Sequence, residues 1–302
     1  MADGNFLAEQ FREHRPRLRA VAYRMLGSLS ESDDALQEAW LRANSALERD
    51  PEQEIRNYDA WLITIVARVC LNMLRTRTQR REDSLEVHIP DPVVCAEDET
   101  NPETLALTAD SVGLAMMIVL DTLAPAERFA FVLHDMFAVP FEEIAEVLEK
   151  TPATARQLAS RARRRVEGRA PVPDPDLATQ RAAVDAFFAA ARNGDFEALV
   201  AVLHPDVVLR ADGGRLRARG GVVLTGAETV ASQAALARNL APFVRPVLVN
   251  GTPGAFATQN GVPLALLAFT VVGGKVVEMA IINDPVRLEE IAKTLGEETT
   301  LA

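Results

Sequence analysis

Apolar residues recur at helical spacing through the first half of the chain and at strand spacing through much of its last third. Phe11, Leu18, Val21, Ala22, Met25 and Leu26 mark one face of a helix over Phe6–Leu26, stopped by Gly27. A second helix carries Leu36, Ala39, Trp40 and Ala43 on one side. Ser30 is its expected cap, and Asp33 and Asp34 are first-turn acids favoured by the helix dipole. Trp61, Leu62, Ile65, Val69 and Leu74 predict a third helix over Tyr58–Arg77. Pro90, Pro92 and Pro102 break the stretch that follows, which reads as a linker. Helical periodicity resumes near Pro102 and runs in short pieces to Gly168, with Pro125 and Pro140 close to helix starts. Phe141–Leu148, a short turn and Pro152–Val166 form a helix–turn–helix pattern.

Beyond the proline-rich APVPDPD (Ala170–Asp176), expected to be stiff and extended, the texture changes. Helices over Leu177–Arg192 and Asp195–Leu203 precede strands at Val207–Ala211, Leu216–Leu224, Pro246–Asn250, Ala255–Thr258, Pro263–Val272 and Val276–Ile282. A helix over Gly226–Leu240 interrupts them, and VVGGK (Val271–Lys275) is a hairpin signal. The fold class expected is multi-domain: two all-α modules, then an α+β cone with helices leading into a curved antiparallel sheet. The boundaries expected are residues 5–81, an acidic linker 82–101, a second module 102–169, a linker 170–176 and a C-terminal domain 177–295.

Composition narrows the functional classes. No run of about 18 uncharged apolar residues occurs, and the N-terminus is charged from the start, so no membrane partner and a cytoplasmic location are expected. The two cysteines, Cys70 and Cys95, form no CxxC pair, and the four histidines show no metal spacing; neither metal nor cofactor is expected. The net charge of −11 would repel nucleic acid if it were uniform, but it is segregated. Ala60–Arg81 holds Arg68, Arg75, Arg77, Arg80 and Arg81 and no acid. Glu82–Thr122 holds many acids and no Lys or Arg. Pro152–Arg169 is again basic, with Glu167 its lone acid. Two basic elements thus flank an acidic one.

These segments, in order, resemble the extracytoplasmic-function branch of the bacterial RNA polymerase σ factors. The resemblance rests on DDALQEAWLRA (Asp33–Ala43), DAWLITIVARVCLNMLRTRTQRRE (Asp59–Glu82) and the helix–turn–helix segment Leu120–Val166. It implies an alternative σ factor whose partners are core RNA polymerase and promoter DNA, with a region 2 that binds the −10 element and a region 4 that binds the −35 element. The remaining chain is similar to SnoaL-like domains of the NTF2-like fold. Counterparts of the motifs of σ factors bearing that extension are HIPDP (His88–Pro92), DGGR (Asp212–Arg215) and Asn283-Asp284-Pro285 with Arg287-Leu288 following. The first lacks the usual tryptophan, the second has a shorter glycine run, and the third is reordered.

Candidate residues follow. Asp33, Asp34, Gln37, Glu38, Trp40 and Leu41 make a mixed patch suited to core polymerase. Arg68, Asn72, Arg75, Arg77, Arg80 and Arg81 are candidates for the −10 element, the arginines for phosphates and Asn72 for a base. Trp61 reads as core packing. Arg156, Gln157, Ser160 and Arg161 fall on the exposed side of the recognition helix as −35 base readers, with Arg163, Arg164 and Arg165 on phosphates. Glu149 stands where that family commonly has a turn glycine. The acidic linker is expected to thread the polymerase's nucleic-acid channel, imitating a phosphate backbone. His88, Pro90, Asp91, Pro92, Asp212, Gly213, Gly214, Asn283, Asp284 and Pro285 are candidates for a regulatory contact between linker and C-terminal domain. That domain has no tyrosine and one histidine, His204, read as packing or a cap at the helix–strand junction, so catalysis is not expected, while a pocket for a small ligand stays open. The alternatives are a metabolite-sensing helix–turn–helix regulator that does not dock on polymerase, and a SnoaL-like cyclase or isomerase.

Overall fold

The computed structural model describes residues 2–50, 55, 57–80, 88–97, 112–213, 221–236 and 238–296. The chain divides into two units, one of residues 1–84 and 119–169, the other of residues 85–118 and 170–302. Both helical modules therefore fall in the first unit, and the linker falls with the C-terminal domain.

The first unit begins with α1 (Ala2–Leu26), α2 (Leu29–Arg49) and α3 (Tyr58–Arg80). The cap of α2 is Ser28 rather than Ser30: its hydroxyl accepts from the Glu31 N–H at 3.5 Å. Starting the helix earlier moves Asp33 and Asp34 past the first turn, and Asp33 instead receives Arg19 at 3.1 and 3.2 Å. Ala35, Leu36, Ala39 and Ala43 form the buried face of α2, and Leu62, Val66, Val69 and Leu71 are among the residues α3 contributes to the same core. α4 (Leu114–Asp121) carries the chain back into this unit. α5 (Pro125–Phe131) has Pro125 in its first turn and continues into a π turn over Val132–Met136. α6 (Phe141–Leu148) and α7 (Pro152–Glu167) are the expected helix–turn–helix, with Thr151 capping α7.

The second unit is α+β, as expected. Among the described residues its strands are β1 (Val94–Cys95), β2 (Leu203–Asp212), β3 (Val222–Thr225), β4 (Val244–Val249), β5 (Thr252–Gln259), β6 (Val262–Val272) and β7 (Lys275–Ile282), and residues 216–220 of the expected strand Leu216–Leu224 lie outside them. They lie in the order β1-β4-β5-β6-β7-β2-β3. All neighbours are antiparallel except β2 and β7, which are parallel. The helices α8 (Leu177–Asn193), α9 (Phe196–Val202) and α10 (Ala227–Leu236) share a core with the sheet. At its centre Phe187, Phe188 and Phe269 meet edge to face, with ring centroids 5.4–5.7 Å apart. Gly254 is required where β4 and β5 approach: a Cβ there would lie 2.6 Å from the Val249 side chain and 2.7 Å from the Leu267 carbonyl. α11 (Pro285–Thr294) ends the domain.

Two elements depart from the sequence expectation. β1 lies inside the presumed linker, joined to the edge of β4. The proline-rich APVPDPD is pinned rather than a bare tether: the Asp174 N–H donates to the Val271 carbonyl at 2.8 Å, and its carboxylate accepts from the Gly273 and Gly274 N–H groups at 2.8 and 2.9 Å.

Candidate functional sites

On α2, Asp33, Asp34, Gln37 and Leu41 are exposed, and Glu38 and Trp40 half-buried. Leu41 keeps 55 % of its surface in solvent, high for an apolar side chain on a helix. Trp40 meets Phe11 edge to face at 5.3 Å, so it braces α2 on α1, and Glu38 pairs with Arg42 at 2.8 Å.

On α3, Arg68, Asn72 and Arg75 are exposed, and their spacing of four and then three residues aligns them in one stripe. Arg77 does not share their situation. It donates to the Leu26 carbonyl at 3.1 Å and pairs with Glu31, tying α3 to the junction of α1 and α2. The Arg80 side chain and Arg81 lie outside the described residues. Trp61 meets Tyr58 edge to face at 6.0 Å, consistent with packing.

On α7, Arg156, Gln157, Ser160, Arg161 and Arg164 line one shallow depression of about 550 Å³. Arg156 stacks over Phe141 at 5.4 Å and pairs with Glu142 at 2.9 Å, while Arg161 lies 3.7 Å from Glu127. Arg163 turns away to Asp135, with its Nε donating at 3.0 Å. The turn before α7 places Glu149 at φ 54°, ψ 46°, the left-handed conformation that glycine adopts without strain. The turn geometry usual for a glycine is thus kept with a glutamate.

In the second unit the three short motifs converge. The Asp212 carboxylate, nearly buried at the end of β2, accepts from the Ile89 N–H at 3.2 Å and from Arg287 Nη1 at 2.8 Å. Arg287 Nη2 donates to the Pro90 carbonyl at 3.1 Å and lies 3.2 Å from Asp91 Oδ1. One guanidinium therefore bridges the sheet and the linker. The Asn283 N–H donates to the Asp212 carbonyl at 3.0 Å. Asp284 and Pro285 have a different part from the one expected: Asp284 caps α11, accepting from the Val286 and Arg287 N–H groups at 2.8 and 3.2 Å, and Pro285 follows it in the first turn. They start the helix that carries Arg287. Pro92 and Gly213 are buried beside the contact and His88 is exposed; Gly214 lies outside the described residues.

A second set of bonds was not anticipated. The Asn250 N–H donates to the Val93 carbonyl at 2.8 Å, and its side chain accepts from the Val93 N–H at 3.0 Å and donates to the Val112 carbonyl at 3.3 Å. Asn250-Gly251 is an evident turn dipeptide, with positive φ of 50° and 77°. Its grip on the linker has no sequence signal, because that grip depends on a long-range pairing.

Elsewhere, the His204 Nδ1 accepts from the Asp206 N–H at 3.1 Å, which is the cap of the two roles expected for it. Glu278 is buried beside Arg210, and burial pushes its carboxyl above the usual carboxylate range, with Arg210 partly offsetting the shift. Among the described residues no group of His, Cys, Asp or Glu could hold a metal ion, and no helix is long and apolar enough to cross a membrane.

Comparison with known proteins places these sites in context. Residues 10–80 match Sigma-70 region 2, and residues 115–166 match Sigma-70, region 4. The chain is 43% identical over 205 residues to the ECF RNA polymerase sigma factor SigJ of Mycobacterium tuberculosis, an alignment covering 67% of this chain and 64% of that protein. It is 32% identical over 305 residues to the probable ECF RNA polymerase sigma factor SigI of the same species, covering 98% of this chain and 99% of that one. The crystal structure of the M. tuberculosis extracytoplasmic function sigma factor SigJ superposes with a TM-score of 0.74 at 33% identity, covering 96% of this chain and 100% of the other. With both region families in order and the likeness to SigI running the length of the chain, this protein belongs to the extracytoplasmic-function RNA polymerase σ factors, alternative σ factors that direct transcription.

Proposed function

We propose that this σ factor docks on core polymerase through the exposed side of α2 and binds the −10 element with the Arg68–Asn72–Arg75 stripe of α3. The −35 element is read by the Arg156–Gln157–Ser160–Arg161–Arg164 face of α7. Arg77 and Arg163 are left to structural ties within their unit. The C-terminal domain acts by contact rather than chemistry, in the cytoplasm with the polymerase, as a clasp on the linker between the two modules.

The observation that carries the clasp is the position of Arg287, bonded at once to Asp212 and to Pro90 and Asp91 of the linker. The Asp212 carboxylate is engaged by Arg287 and the Ile89 N–H. A linker held at Ile89–Asp91 and again at Val93–Cys95 cannot simultaneously lie in a polymerase channel. Polymerase then shifts the balance only by binding the released linker more tightly than the C-terminal domain does.

The test is reconstituted transcription on genomic DNA with purified core polymerase, with transcript 5′ ends mapped by sequencing. Full-length protein should give a defined set of starts above core alone. Arg287→Met and Asp212→Asn should change their yield without changing their positions. Equal yields from both variants and the parent would remove the clasp. No σ-dependent starts at all would remove the docking and promoter assignments.

A further inference from the structure

The arginines of α7 differ in what stands behind them, and the difference is sharpest at Arg161. Arg164 reaches a backbone atom, its Nε donating to the Ser160 carbonyl at 3.4 Å, and among the described residues it has no ion pair. Arg156 pairs with Glu142, but the Glu142 side chain is 64% exposed, and a pair so open to water contributes little. Arg161 stands beside Glu127, whose side chain is only 9% exposed. Glu127 lies in the first turn of α5, where the helix dipole favours an acid. A carboxylate buried this far needs its oxygens met. Its Oε2 accepts from Arg165 Nη1 at 2.9 Å. Its Oε1 faces Arg161 Nε at 3.7 Å, an ion pair rather than a hydrogen bond. Arg165, expected on a phosphate, is thus engaged by Glu127.

Arg161 and Arg165 are one helical turn apart, yet of the two only Arg161 lines the depression with Gln157 and Ser160. A tie between α5 and α7 needs no more than the Arg165 bond. The position of Oε1 supplies something the tie does not require. The donors of a guanidinium form a planar fork. A carboxylate on the Nε side draws that side toward α5 and leaves the Nη1–Nη2 edge to meet the two acceptors of a guanine at once. The same carboxylate opposes phosphates. Arg161, backed by a fixed negative charge, attracts the DNA backbone weakly, while Arg164 attracts it in full.

We infer that Glu127 is the positioning residue of −35 recognition: it holds the Arg161 guanidinium for a base edge and makes sequence-independent backbone contact at that point unfavourable. The inference rests on the assignment of Arg161 to base reading and goes beyond it, because Glu127 acts through Arg161 and sets how sharply that position is read.

The test uses holoenzyme assembled from core polymerase and full-length protein, on a promoter recovered by the genomic mapping and on its single-base −35 variants. Arg161→Ala identifies the position that Arg161 reads, by a loss of discrimination of about tenfold there. Glu127→Gln, nearly isosteric, should lower discrimination at that same position by at least about threefold. The sign of the change is diagnostic. Yield from the mismatched promoters should rise, because backbone contact is no longer opposed, while yield from the matched promoter changes little. Added to Arg161→Ala, Glu127→Gln should cause no further loss at that position. Asp135→Asn makes the same carboxylate-to-amide change at another tie of α7, to Arg163, and should leave discrimination there as in the parent. Unchanged discrimination in Glu127→Gln, an equal fall at every promoter, or the same effect from Asp135→Asn overturns the positioning role. If circular dichroism shows Glu127→Gln to be unfolded, Glu127→Asp carries the test. It withdraws the carboxylate by one methylene and should lower discrimination at the same position; unchanged discrimination there overturns the inference equally. Failure of the base-reading assignment shows separately: Arg161→Ala would then change discrimination at no position, and Glu127 would have nothing to position.

Discussion

Glu149 occupies the left-handed region between the helices of the helix–turn–helix, while the Lys150 N–H reaches back to the Ala145 carbonyl at 2.9 Å. The helix ending dictates that backbone, and glutamate pays a steric penalty there that glycine avoids. Glu149→Gly should therefore stabilise the protein by about 0.5–1 kcal/mol, read from the denaturant midpoint at constant m-value; a loss of stability would mean the Glu149 side chain contributes more than its strain costs. Glu278 supplies a pH-dependent test. Its folded pKa lies above its unfolded value, so the native state binds the extra proton. That stabilisation is present below the unfolded value of 4.5 and is lost as pH rises through the raised folded value. Compared with Glu278→Gln, the parent should lose relative stability on raising the pH across that window and hold a constant difference above it. A difference that grows with pH would mean that Arg210 outweighs burial.

Single helices show how far a pattern reaches. The extents of α6 and α7 were legible from apolar spacing and from Pro140, Thr151 and Pro152, because capping and periodicity are local. Side-chain direction within α7 was only partly legible. Arg161 and Arg164 share the exposed face, whereas Arg163, two residues after the one and one before the other, is drawn to Asp135 on another element. Replacing Arg161 with Ala should relax discrimination at one −35 position by about 1–3 kcal/mol if its contact is bidentate to guanine. Arg164→Ala should instead weaken all sequences alike and shallow the salt dependence. Binding isotherms on a promoter and its single-base variants, at several salt concentrations, separate the two. Uniform loss from both would end the base-reading role of Arg161. The strand β1 had no comparable signature: Val94 and Cys95 are two residues among prolines and acids, and only the free edge of β4 makes them a strand.

At the scale of the whole chain, the two cysteines are reporters of separate events. Cys70 is fully buried in α3, and burial pushes its thiol up to about 12. Cys95 is buried within β1, so its exposure requires release of the linker strand. Maleimide should modify neither quickly in the native protein. Arg287→Met should accelerate modification of Cys95 and leave Cys70 protected, as peptide mass spectrometry of labelled protein would show. Parallel acceleration at both would indicate global destabilisation instead of an opened clasp.

The order of modules, most of the helical and strand segments, the two basic helices and the acidic stretch between them were determined by the sequence alone. Each rests on local periodicity, proline placement or the sign of neighbouring charges. Tertiary structure decided which charges remain for partners. Arg68, Arg75 and Arg164 stay exposed, while Arg77, Arg128 and Arg163 are drawn to carbonyls and carboxylates far away in the chain. It also decided that Asp284 and Pro285 serve as a helix start, that Arg287 is the bridging cation, and that part of the linker is a strand. The physical reason is common to all of these. A buried or bridging polar group is satisfied by whatever atom the fold brings within about 3 Å, and that atom is identified by no spacing along the chain.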